Sequence, residues 1–73
     1  MTLEQIINKE RTYRNETGLF GLDECKKAIQ QEMKLFNKSL YQLLEEYVEK
    51  ANNDIFFNKA MVLACWELIN KIN

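Results

Sequence analysis

Histidine and proline are absent from this 73-residue chain, and glycine and cysteine each occur only twice. Each gap removes a class of chemistry. Without histidine there is no imidazole base, no histidine ligand for zinc and no side chain that titrates sharply near neutrality. The lone serine, Ser39, therefore has no imidazole to activate it as a nucleophile. Cys25 and Cys65 stand far apart with no C-x-x-C pair, too few thiolates for a zinc cluster and the wrong pattern for a redox motif, so both read as free, small apolar residues. No glycine-rich phosphate loop and no acidic EF-hand loop is present. The carboxylate pairs Asp23/Glu24 and Glu45/Glu46 are adjacent on helices, so their side chains diverge by about 100° on faces expected to be solvated. The expectation is a protein that is not an enzyme, with no cofactor and no metal site.

Long apolar runs are missing too. The N-terminal stretch MTLEQIINKE turns polar at once, unlike a secretory signal. The longest uninterrupted apolar run, Ala60 to Trp66, is seven residues, against the roughly 20 that a membrane helix needs. These features predict a cytoplasmic protein without a membrane partner. Ten basic residues against eleven acidic ones, a net charge of -1, oppose capture of nucleic acid by charge alone. Lysine outnumbers arginine eight to two and asparagine occurs eight times, a bias that points to a bacterial or phage gene.

What is present is apolar spacing at helical intervals. Thr2 and Gln5 form a T-x-x-Q capping box ahead of a helix over about 2–15, whose inner stripe is Leu3, Ile6, Ile7 and Tyr13. Glu10 and Arg14, at i and i+4, are expected to pair, and Gly18 to end the helix in the left-handed conformation. Leu19 and Phe20 then read as a plug folded back on the core. Leu22, Cys25, Ile29, Met33 and Phe36 mark a second helix over about 22–36. Ser39 with Gln42 makes another capping box for a third helix over 39–51, carrying Leu40, Leu43, Leu44, Tyr47, Val48 and Ala51 inward. A single rod through both segments is the alternative. Asn52-Asn53-Asp54 stops that helix and starts a fourth over 54–71. Twelve of the fifteen residues from Ile55 to Ile69 are apolar, more than one helix face holds, so the last helix is expected at the centre. The fold class predicted is an all-α compact bundle of three to four helices, a single domain over 1–73.

One stretch has a familiar layout. From Ile29 to Leu44, with apolar positions Ile29, Met33, Leu35, Leu40 and Leu43, the sequence resembles the helix-turn-helix of DNA-binding regulators. The resemblance implies that the helix after Ser39 enters the major groove. The family places a small residue where Gln30 stands and glycine where Lys34 stands. The presumed recognition helix here would present Gln42, Glu45, Glu46 and Glu49 to a polyanion, with Lys38 and Lys50 the only nearby cations. DNA binding is therefore the second reading.

The first reading is a small non-catalytic regulator, adaptor or inhibitor that binds a protein. Gln42, Glu45, Glu46 and Glu49 form an acidic helix face suited to a partner with a basic surface. Phe56 and Leu63, seven apart on the otherwise polar side of the last helix, are expected to lie uncovered in line and to form a homodimer contact.

Overall fold

The computed structural model describes residues 1–19 and 21–71. Its helices are α1 (Leu3–Thr17), α2 (Asp23–Phe36), α3 (Leu40–Asn53) and α4 (Ala60–Asn70), with no strand among the described residues. Both capping boxes form. The Thr2 hydroxyl accepts from the Gln5 N–H at 3.2 Å while the Gln5 side chain accepts from the Thr2 N–H at 2.9 Å. Ser39 and Gln42 repeat this at 3.2 and 2.8 Å. Each box satisfies helix N–H groups that have no intrahelical acceptor.

α2 and α3 are two helices, and Asn37 is the reason. Its φ of 52° is left-handed, and the N–H of Lys38 reaches back to the Met33 carbonyl at 3.2 Å, which closes α2 in a Schellman motif. Gly18, at φ 71°, ends α1 in the same way, with the Leu19 N–H on the Arg14 carbonyl at 3.1 Å. Arg14 does not pair with Glu10 as the spacing predicted. Its Nη1 donates instead to the carbonyls of Leu19 and Gly21, at 3.2 and 3.3 Å, and ties the chain beyond α1 to that helix. Leu19 is half exposed rather than a plug, and Phe20 lies outside the described residues.

The fourth helix starts at Ala60, not at 54. Asp54 ends α3 with its N–H on the Lys50 carbonyl, then accepts from the Phe56 N–H through its side chain and from the Phe57 N–H through its own carbonyl, at 2.9 and 3.1 Å. The Asn58 side chain accepts from the Ala60 N–H at 3.0 Å and takes the capping role for α4. Residues 54–59 are thus a turn held by the side chains of one aspartate and one asparagine, where apolar content alone suggests helix.

α4 packs against all three other helices, as expected of the central element. Ile6 and Ile7 of α1, Ile29 of α2, and Leu43, Tyr47 and Ala51 of α3 meet Ala60 and Val62 to Cys65 in one core. Leu63 is 2% exposed. It does not lie on an uncovered face, because Arg14 of α1 and Leu22 before α2 share its side of α4. Tyr13 and Phe36 depart from their predicted stripes and are exposed, each near the end of its helix, where the core gives out.

This placement separates two residues that the sequence pairs. Replacing Leu63 by Ala is expected to lower the unfolding free energy by about 2–5 kcal/mol in urea titrations. Replacing Phe56 by Ala should change it by less than about 0.5 kcal/mol.

Candidate protein-binding surface

The outer face of α3 is set by the burial of Leu43, Tyr47 and Ala51, which turns Gln42, Glu45 and Glu49 to solvent. The four residues expected to act together do not have equal freedom. Gln42 spends its amide oxygen on the Ser39 N–H. Glu46 is half-buried and paired with Lys38, Nζ to carboxylate oxygen 2.7 Å, which fastens the α2–α3 turn to α3. Glu45 and Glu49 are exposed and make no ion pair within the described residues.

Along this face runs a shallow groove of about 330 Å³, lined by Glu46, Glu49, Lys50, Asn53 and Asp54. Three carboxylates against one ammonium give it a negative potential. The groove leads into the 54–59 turn, where Ile55 and Phe56 are 88% and 89% exposed. Two consecutive large apolar side chains so fully in water cost hydration free energy that any partner surface covering them would recover. They are also held in place. Asp54 fixes the backbone of Phe56, and the next residue, Phe57, tucks against the buried Tyr47 ring at 5.8 Å between centroids.

Beneath the face, Tyr47 carries the one core hydroxyl among the buried residues and donates it to the Glu32 carboxylate of α2. Burial pushes this phenol well above its ordinary range, and the adjacent Glu32 charge adds to the shift. Cys65, fully buried, donates its thiol to the Leu40 carbonyl at 3.3 Å. Burial raises that thiol from 9.0 to about 11. Both cysteines are free thiols.

Helical periodicity finds the acidic face, but Ile55, the Lys38–Glu46 pair and the groove depend on where α3 ends and what packs beside it. Leu63 is not part of this surface. Among the described residues no three of His, Cys, Asp or Glu gather as metal ligands, and no helix is long and apolar enough to cross a membrane. Comparison of the chain with family models, with curated proteins and with solved structures finds no match.

The buried thiol and phenol set a pH dependence. In the unfolded chain Cys65 ionises at its ordinary value of 9.0, whereas in the folded chain it holds its proton to about 11. Its contribution to stability is complete below pH 9 and is lost as the pH rises through the folded value. Tyr47, also raised, acts in the same direction above pH 10. Urea unfolding from pH 8 to 11 should show stability falling by on the order of 2 kcal/mol from Cys65, and Cys65→Ala should flatten that part of the slope.

Proposed function

We propose that the protein is a small non-catalytic regulator, adaptor or inhibitor that engages a protein partner with a basic surface through the outer face of α3 and the Ile55–Phe56 turn. The observation that carries this reading is the near-complete exposure of Ile55 and Phe56 on a turn pinned by Asp54, at the end of an acidic groove. Apolar anchors presented on a fixed backbone lose little conformational entropy on binding, which is how a few residues come to carry most of an interface's affinity. Glu45 and Glu49 supply the complementary half. They steer a basic surface toward the anchor and govern association rate more than residence time. The interaction belongs in the cytoplasm, the compartment that fits two free thiols.

A helix-turn-helix regulator is the second reading, favoured by the short Asn37–Ser39 connection between α2 and α3. Against it, the exposed side of α3 carries Glu45 and Glu49 where a DNA reader needs cations or neutral donors. A homodimer through Phe56 remains compatible with the first reading, but without Leu63, and sedimentation at micromolar concentration tests it.

The decisive experiment is affinity capture from the native host with identification of the bound species, run in parallel with Ile55→Ser/Phe56→Ser and Glu45→Lys/Glu49→Lys variants. Glu46 is left intact because it holds Lys38. Both variants should keep wild-type helicity and unfolding midpoint. The apolar pair should lose the partner, by on the order of tenfold or more in affinity. The charge-reversed pair should associate more slowly at low salt, with the deficit shrinking as salt is raised. Retention of the same partner by both variants would refute the reading. Tight binding to duplex DNA with a steep salt slope would replace it with the second.

A further inference from the structure

The chain has only two arginines, Arg11 and Arg14, and both line the same cleft. The cleft, about 460 Å³, lies between the end of α1, the Gly21–Leu22 segment with the start of α2, and the α4 residues Leu63 and Glu67. It is on the α1 side of the molecule and shares no lining residue with the acidic groove of α3.

Three observations bear on what it holds. First, neither arginine is used in an ion pair with a carboxylate of the described residues. The carboxylates at the cleft are Glu67, already bonded to Lys26 at 3.1 Å, and Asp23, exposed at the first turn of α2. Three cations against two carboxylates leave the cleft positive in a chain whose net charge is -1. Second, both guanidinium groups are held before any ligand arrives. Arg11 stacks over the Trp66 ring, 4.6 Å from its centroid, and Arg14 is fixed by the Leu19 and Gly21 carbonyls. The Arg14 Nε is buried with no acceptor among the described residues, so part of its charge is desolvated without compensation. Third, Leu19, Leu22 and Leu63 give the cleft an apolar wall, and its volume falls in the range of small-molecule sites.

We propose that this cleft binds a small organic carboxylate with an apolar body, the carboxylate compensating Arg11 and Arg14 and the body lying against the leucines. Arginine suits this task because its planar, permanently charged fork matches a carboxylate, and fixing the fork in advance removes the entropy cost of ordering it. The proposal is independent of the protein-binding role of α3.

Hexanoate serves as the probe, titrated into isotope-labelled protein while the amide signals of Gly21 and Asp23 and the indole signal of Trp66 are followed. Saturable shifts at all three, with millimolar affinity, are expected. Acetate, which has the charge without the body, and inorganic phosphate should each bind roughly tenfold more weakly. Arg11→Gln should weaken hexanoate by roughly tenfold while leaving the unfolding midpoint near wild type. Arg14→Lys, which keeps the charge but loses the fork, covers the case in which loss of the carbonyl bonds perturbs folding, and it too should weaken binding. Shifts that never saturate, or hexanoate affinity unchanged in Arg11→Gln, would overturn the proposal. So would phosphate binding as tightly as hexanoate, since the cleft would then be reading charge alone.

Discussion

Val62, Leu63, Ala64 and Cys65 are consecutive in α4, and none is more than 2% exposed. Four successive residues on a helix sweep about 300° around its axis, so burying all of them requires neighbours on nearly every side. α1, α2 and α3 are those neighbours, and each is amphipathic in the ordinary way, with one stripe to give. The bundle is therefore three one-sided helices arranged around one that has almost no outside. Few direct contacts join the outer helices to one another by comparison, and their relative positions are set by where each meets α4.

That arrangement fixes what is left for function. α3, held by Leu43, Tyr47 and Ala51, turns Glu45 and Glu49 outward and delivers the chain into the 54–59 turn at the rim of the core, where Phe57 goes in and Ile55 and Phe56 stay out. α1, lying along α4, brings Arg11 over Trp66 and Arg14 against the carbonyls of Leu19 and Gly21 before α2. The surface is thereby split into an acidic, apolar-tipped region and a positive cleft, although the total charge is close to zero.

Much of the fold is legible in the sequence because its signals are local. Thr2 with Gln5, Ser39 with Gln42, and Gly18 mark helix ends through atoms no more than a turn apart, and all three act as the spacing predicts. The start of α4 is not legible in that way. Asp54 and Asn58 are both credible caps, and the apolar Ile55-Phe56-Phe57 between them mimics a helix interior, so only packing decides in favour of Asn58. Leu63 fails for a similar reason. A helical projection of α4 places it with polar residues, but the projection carries no information about α1 covering that side. The acidic face is legible from periodicity, whereas the arginine cleft draws on α1, α2 and α4 and has no sequence pattern of its own.

The docking of α1 is also the longest closure the chain has to make. α3 meets α2 and α4, its neighbours in the chain, whereas the main partner of α1 is the helix furthest from it in sequence. Closing that distance costs more chain entropy than any other helix pairing in the bundle. The α2–α3–α4 unit is thus the natural early structure. The arginine cleft, lined by α1 as well as by the start of α2 and by α4, cannot form until this long closure is made.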